Sequence, residues 1–466
     1  MILLCHAYFI HEDAREKAIM KPYPPLGILY ISAWLEKMGV EHDVFDTTFS
    51  SKEIFYNYLL EKKPPIIAVY INLMTKVNVL ELISFIRSRE ELSDMEIILG
   101  GPDVRYNAEN LLNHGADFLV IGEGEETFYE LTQSLTNQTK YHDIPGIAYT
   151  LPDGSIQINE GRALRKDLDE LPFPNRKKID FSPYLEVWKK HHGNSAMTIS
   201  TMRGCPYSCH WCSRGVYGKS YRRRSAQSVV AEIKHLQETY KPDNLWFVDD
   251  VFTISHKWLQ NFVDELKAAD VKPVYECITR ADRLNTEVIQ LLKESGCFRV
   301  WIGAESGSQK IIDLMDRRVD VQTVRQMIVE AQAAGLQAGT FIMVGYPGET
   351  EADIKETLLH LKASNPSFFT ITITYPIKGT ELYTEVETIS TASKIDWTKN
   401  TDRDIDFTRT YSKKYYQQAV QWIVSEMAFY QRKTKDLSFS SAAKAKLRSV
   451  KARMGMWWYK HAQAGS

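Results

Sequence analysis

The sequence predicts an α/β protein: a doubly wound N-terminal domain, then a partial (β/α)6 barrel, then a helical C-terminal region. Three observations carry this. Short apolar runs alternate with amphipathic stretches in two separate series. The runs are apolar throughout, as strands covered on both faces must be. Residues able to do chemistry collect where the runs end, the place where parallel α/β folds present their side chains.

The first series fills residues 1–150. Its strands are read at Ile2–Cys5, His42–Asp46, Ile66–Ile71, Glu96–Gly101 and Asp117–Gly122, its helices at Leu26–Met38, Lys52–Leu60, Val77–Arg87, Ala108–His114 and Glu126–Leu135. Five such units form an open sheet that takes ligands beyond its carboxyl ends. Gly100-Gly101-Pro102 closes the fourth strand and Gly122-Glu123-Gly124-Glu125 the fifth. These glycines either line a ligand or only make tight turns. Residues 151–195 read as a linker. Asp153-Gly154 marks a hairpin turn, Leu171-Pro172-Phe173-Pro174 is extended, and Tyr184 and Trp188 give the segment something to bury.

The second series, residues 196–384, has strands at Met197–Met202, Asn244–Asp249, Val274–Thr279, Arg299–Ala304, Gln337–Val344 and Phe368–Tyr375. Helices are expected near 226–239, 256–268, 286–295, 321–334 and 351–363. Six units fall short of the eight of a closed barrel. The strand ends carry Arg203-Gly204-Cys205, Asp249-Asp250, Arg280, Glu305 and Gly345-Tyr346-Pro347-Gly348. Residues 385–466 turn helical, and Trp457, Trp458 and Tyr459 are expected to pack a terminal helix onto the barrel.

A chain of 466 residues with 44% hydrophobic and 25% charged residues suits two or three globular domains. The net charge of −2 gives no electrostatic reason to expect nucleic acid or an anionic membrane as partner. Met1–Ile10 reads as a first strand, not a signal peptide, and no uninterrupted apolar run of about 18 residues predicts a membrane span. Six cysteines, three of them within eight positions, argue against a disulfide framework and for a metal site in a reducing cytoplasm.

That metal site is Cys205-Pro206-Tyr207-Ser208-Cys209-His210-Trp211-Cys212, a C-x3-C-x2-C spacing on the loop after the first barrel strand. Three thiolates on one loop can converge on an iron–sulfur cluster and leave one iron open. Zinc with His210 as fourth ligand, or buried unligated cysteines, are the alternatives at this point.

The loop in this context resembles the signature of the radical S-adenosylmethionine (SAM) superfamily. Arg203-Gly204-Cys205 through Arg222-Arg223-Arg224-Ser225 resembles the branch with an N-terminal cobalamin-binding domain, as does Val229-Val230-Ala231-Glu232-Ile233 after it. Pro24-Pro25-Leu26-Gly27-Ile28-Leu29-Tyr30, Gly100-Gly101-Pro102, Gly122-Glu123-Gly124-Glu125 and the linker Leu168-Asp169-Glu170-Leu171-Pro172-Phe173-Pro174 are similar to that branch's motifs in the same order.

The resemblance implies a [4Fe-4S] cluster on Cys205, Cys209 and Cys212, with SAM chelated to its open iron. Trp211 would pack near the adenine. Asp249 and Asp250 would hold the methionine ammonium, unless they cap the following helix. Glu305 would face the ribose or amino group, with a structural salt bridge as its alternative, and Arg280 would meet the SAM carboxylate. Gly345, Pro347 and Tyr375 would line the adenine. Cobalamin would lie against Pro25, Leu26, Gly27, Gly100, Gly101, Gly122, Glu123 and Gly124. A D-x-H-x-x-G motif is absent after the first strand, and His6 and His11 read as ordinary loop histidines. No histidine is therefore expected on cobalt.

The implied reaction is methyl transfer to an unactivated carbon of a small-molecule or natural-product substrate, through a 5′-deoxyadenosyl radical and methylcobalamin. A flavodoxin or ferredoxin would supply electrons. The alternatives are a non-methylating reaction, such as the ring closure of the anaerobic magnesium-protoporphyrin ester cyclases that the sequence also resembles, and a zinc-stabilised binding protein without catalysis.

Overall fold

A computed structural model describes residues 1–387, 396–432 and 438–462. Parts of the expected helical C-terminal region, 388–395, 433–437 and 463–466, lie outside the described residues. The chain forms two compact units. One comprises Met1–Pro206, Arg214–Trp246 and Asp396–Thr401, the other Tyr207–Ser213, Phe247–Ile395 and Asp402–Ser466.

The first unit contains β1 (Ile2–Cys5), β2 (His42–Val44), β3 (Ile66–Tyr70), β4 (Glu96–Gly100), β5 (Phe118–Val120), β6 (Ile147–Thr150) and β7 (Ile156–Ile158), in the sheet order β2-β1-β3-β4-β5-β6-β7. The first five pair in parallel, with Leu3 opposite Ile67 and Ile67 opposite Ile97. Successive residues alternate between two cores. Leu3, Ile67, Ile97 and Leu119 enter one, while Ile2, Leu4, Ile66 and Ile98 enter the other. This is the double burial that the apolar runs imply. The order reverses between β1 and β3, which places the ligand crevice at the carboxyl ends of β1, β3 and β4.

Three sequence expectations for this unit need correction. The sheet is mixed, because β6 and β7 add an antiparallel hairpin beside β5. Its turn is the Asp153-Gly154 pair, with Gly154 at φ +84° and Asp153 Oδ1 accepting the Ser155 N–H at 2.9 Å. The linker holds a helix, Ser182–His192, that buries Tyr184 and Trp188. The expected strand Met197–Met202 is two, β8 (Ala196–Ile199) and β9 (Met202–Arg203). The second leaves its predecessor to pair antiparallel with β10 (Arg222–Arg223). Trp397 also packs against the first of the two cores, with Lys76 Nζ 4.8 Å from its ring centroid.

β11 (Asn244–Phe247) follows, then β12 (Tyr275–Thr279), β13 (Cys297–Glu305), β14 (Gln337–Val344) and β15 (Phe368–Ile373), in a six-stranded sheet of order β15-β14-β13-β12-β11-β8. β12 to β15 pair in parallel throughout, the incomplete barrel that six βα units predict. Between Gly303 and Glu305 the β13–β14 register shifts by one residue. Such a bulge re-aims the side chain that follows it, and Glu305 takes a left-handed φ of +63°.

Helices Lys413–Tyr430 and Phe439–Ala462 pack together in the second unit. The second helix buries Ala442, Ala445, Ser449, Ala452 and Met456, a small-residue stripe at helical spacing. Trp457 and Trp458 fall on the other side and are 62% and 64% exposed, so they do not pack the helix onto the barrel as expected. The small stripe permits a closer helix approach than indole rings would allow.

Candidate functional site

Residues 205–212 leave β9 as an irregular loop. None of the six cysteines forms a disulfide; Cys209 is buried, while Cys205 and Cys212 are half-buried. The backbone of residue 210 is tied at both ends, its N–H donating to the Met315 carbonyl at 3.1 Å and its carbonyl accepting from Leu382 N–H at 3.0 Å. Ser208 Oγ donates to Asp316 at 2.5 Å.

The electrostatics single out Cys209. Arg280 Nη1 and Arg317 Nη1 each lie 3.7 Å from its Sγ. Two buried guanidiniums aimed at one sulfur suit a thiolate and the anionic cluster it would hold; a neutral thiol needs neither. Burial works against the charge of Arg317, yet Glu305 and Cys209 hold its pKa above the ordinary value. Among the described residues no three His, Cys, Asp or Glu side chains form a preformed metal cage. The cluster would gather the three sulfurs on binding.

The strand ends sort the other expected residues. Every nitrogen of Arg280 has a protein partner: Nε the Asp282 carboxylate at 2.8 Å, Nη2 the Arg317 carbonyl at 2.7 Å, and Nη1 Cys209. Its guanidinium also stacks 3.8 Å from the Tyr207 ring centroid. Arg280, expected to meet the SAM carboxylate, thus makes contacts within the protein that hold the loop. Glu305 is buried 3.5 Å from Arg317 Nη2. Burial raises its carboxyl, against the pull of Arg317 and Arg280. A Cβ on Gly303 would lie 2.7 Å from Glu305 Oε1 and strike Arg317, so glycine is what allows this pair to form.

Asp249 is buried and Asp250 exposed. Desolvation by the surrounding strand ends, and then the Asp249 charge, push the Asp250 carboxyl upward although the side chain keeps water contact. Neither caps helix His256–Ala268, whose N-cap is Ser255, with its Oγ accepting from Trp258 N–H. Trp211 packs beside Met343, Tyr346 and Phe407, and its buried Nε1 has no hydrogen-bond partner among the described residues. Gly345 takes φ +82° and donates its N–H to Glu349 Oε2 at 2.5 Å, while Pro347 and Tyr375 flank the ends of β14 and β15. An open indole donor and the strand-end acids Asp249, Asp250 and Glu305 fit an adenosyl ligand.

In the first unit the glycines divide. Gly101 (φ +126°) would drive a Cβ into the Ile71 carbonyl, Gly122 takes φ +98°, and a Cβ on Gly124 would lie 2.9 Å from Ile31 Cδ1. The fold alone accounts for these three. A Cβ on Gly27 or Gly100 would meet nothing nearer than 3.9 Å. Gly27 sits in the first turn of helix Leu26–Lys37, where it lowers stability by roughly 1 kcal/mol against alanine. Packing does not explain these two, and with Pro25 and Leu26 they keep a bare surface at the switch point, as a large cofactor requires.

Glu123 and its neighbour Glu125 are engaged within the protein. Glu123 Oε1 is 2.6 Å from Arg222 Nη1, and Glu125 pairs with Arg203, both acids buried or nearly so. Arg203 stands two residues before Cys205, so this pair anchors the cysteine loop. His6 Nε2 is 3.0 Å from Asp46 Oδ1, an ordinary structural role. The sequence marks Arg203 at a strand end but not its pairing with Glu125, 78 positions away, and it does not mark Arg317, whose partner Cys209 is 108 positions away.

The radical SAM superfamily model matches residues 199–361 and the B12 binding domain model residues 19–132. An uncharacterized methyltransferase of Pyrococcus horikoshii is 26% identical, over 84% of this chain and 85% of its own. The anaerobic magnesium-protoporphyrin IX monomethyl ester cyclase of Rubrivivax gelatinosus is 24% identical, over 81% and 69%. Two solved structures share the fold. The cobalamin-dependent SAM radical enzyme OxsB has a TM-score of 0.76 at 17% identity, over 98% of this chain and 71% of its own. The radical SAM methyltransferase TsrM of Kitasatospora setae has 0.68 at 18%, over 84% and 77%. The zinc-stabilised, non-catalytic alternative falls with these matches. The chain belongs to the B12-binding branch of the radical SAM superfamily, enzymes whose cofactors are a [4Fe-4S] cluster, SAM and cobalamin.

Proposed function

We propose that this enzyme transfers a methyl group to an unactivated carbon of a small-molecule or natural-product substrate. The observation that carries the reading is Cys209, buried between Arg280 and Arg317 in a chain that also matches the B12 binding domain. The cytidylyl-2-hydroxyethylphosphonate methyltransferase of Streptomyces wedmorensis, 25% identical over 78% of this chain and 77% of its own, supports it.

When bound, the three cofactors supply a reducing electron, a 5′-deoxyadenosyl radical and a methyl group. The chain's own residues hold and shield. Cys205, Cys209 and Cys212 would ligate the cluster, and Arg280 and Arg317 offset its negative charge. Glu305 and Asp249, with Asp250, would take the ribose and ammonium of SAM; Trp211, Gly345, Pro347 and Tyr375 would line its adenine. Gly27 and Gly100 would lie under the cobalamin. Electrons would come from a flavodoxin or ferredoxin in the cytoplasm, and no nucleic acid takes part.

The cyclase relatives favour one second reading, oxidative ring closure on the same scaffold. Anaerobic turnover separates the two. S-adenosylhomocysteine formed beside 5′-deoxyadenosine supports methylation; 5′-deoxyadenosine alone, with substrate consumed, sinks it.

A further inference from the structure

Helix Phe439–Ala462 carries Lys444, Lys446, Arg448, Lys451, Arg453 and Lys460 and no acidic residue, within a chain whose net charge is −2. Its two sides use these charges differently. Lys446 lies 2.7 Å from Glu426, Lys460 2.9 Å from Glu351 and Arg453 3.7 Å from Glu351, all acids of the second unit. Lys444, Arg448 and Lys451 are exposed, and among the described residues they make no ion pair. Beside them stand Leu447, Val450, Met454, Trp457 and Trp458, between 49% and 71% exposed. At helical spacing Leu447, Lys451, Met454 and Trp458 form one line, with Val450 and Trp457 on the adjoining one. The helix therefore has two apolar faces, and among the described residues only the small-residue one is covered.

We propose that this outer face docks on an anionic membrane surface, with the indoles and aliphatic chains entering the headgroup boundary and the three cations meeting lipid phosphates. Exposed apolar area of this extent on one helix marks a binding surface. Lysine and arginine beside tryptophan and leucine is the composition of helices that lie in the bilayer interface. Charge complementarity selects the occupant. A second copy would bring the same three cations against these and be repelled, whereas an anionic leaflet attracts each of them. No described helix is long and apolar enough to cross a membrane, so the contact is peripheral. The whole-chain charge conceals the site because acids elsewhere cancel it. The proposal is independent of the reaction catalysed.

The test is flotation of the full chain with phosphatidylcholine vesicles, with and without phosphatidylglycerol. Flotation is expected only with the anionic vesicles, with a blue shift in tryptophan emission and release at high salt. The triple variant Lys444→Glu/Arg448→Glu/Lys451→Glu should bind at least tenfold more weakly, and Trp457→Ser/Trp458→Ser should lose the shift and most of the binding. Far-UV circular dichroism checks that the helix persists; should a variant misfold, the salt and lipid dependence of the native chain still decides. Absence of flotation, equal binding to neutral vesicles, a dimer abolished by the same substitutions, or binding confined to an acidic redox protein would each overturn the proposal.

Discussion

Replacing Glu349 by glutamine should remove a pH dependence of stability that is built into the mouth of the barrel. Glu349 has no solvent exposure; Oε2 accepts the Gly345 N–H, and Oε1 has no partner among the described residues. Burial is the main reason its carboxyl is pushed up to about 8; the Gly345 N–H opposes this and Asp353 adds to it. The folded protein thus keeps a proton that the unfolded chain releases near the ordinary carboxyl value of 4.5. Stability from this group is complete below that value, falls as pH rises towards 8, and is level above it. The rise from 4.5 to about 8 sets the full loss at about 5 kcal/mol, an upper figure because local opening admits water. Glutamine still accepts from Gly345 and never ionises. Urea unfolding of both proteins between pH 5 and 8.5 (about the window itself) should show the native chain losing stability with pH and the variant gaining on it by several kcal/mol. Parallel curves would refute the reasoning, since they would mean that Glu349 ionises normally.

Other substitutions test neighbouring parts of the account. Glu125→Gln removes the nearer of the two acids that face Arg203, Glu123 staying at 3.5 Å, and should destabilise by about 1.5–3 kcal/mol in urea titrations, whereas pairing it with Arg203→Met should recover part of the loss. Gly303→Ala forces Glu305 and Arg317 apart and should lower stability by about 1–3 kcal/mol. A crystal structure of that variant should show the carboxylate and guanidinium separated. Arg317→Gln removes one cation facing Cys209 and should make the cluster harder to reduce, by on the order of 50 mV in an EPR-monitored titration. Cys209→Ala should abolish iron and sulfide incorporation while the far-UV spectrum is retained.

The elements that the sequence makes legible are those set by local pattern. β1, β3 and β14 begin where their apolar runs begin, and the cysteine loop follows the run that contains β8, although β9, which leads into it, pairs with β10 outside the six-stranded sheet. The helix Ser182–His192 was hidden by the prolines before it, since Pro172 and Pro174 argue only for their own neighbourhood. The split of β8 from β9 depends on Arg222 and Arg223 coming back to pair, a partner that no local window contains. The candidate site residues are legible as chemistry-bearing types at strand ends, but their contacts within the protein are not. That Arg280 serves Cys209, that Glu125 serves Arg203, and that Ser255 caps the helix after Asp249 are all set by tertiary placement. Glu305 shows the limit most clearly: its aim depends on a register shift at Gly303 and Ala304 that alters no periodicity.

The central claim is that a methyl group reaches substrate carbon intact, and isotope transfer measures it most directly. Turnover with SAM deuterated in its methyl group, under anaerobic conditions with cobalamin and a one-electron donor, should give a product heavier than substrate by one CD3 in place of one hydrogen. A product lacking deuterium and two hydrogens lighter than its substrate would contradict the account and establish ring closure instead.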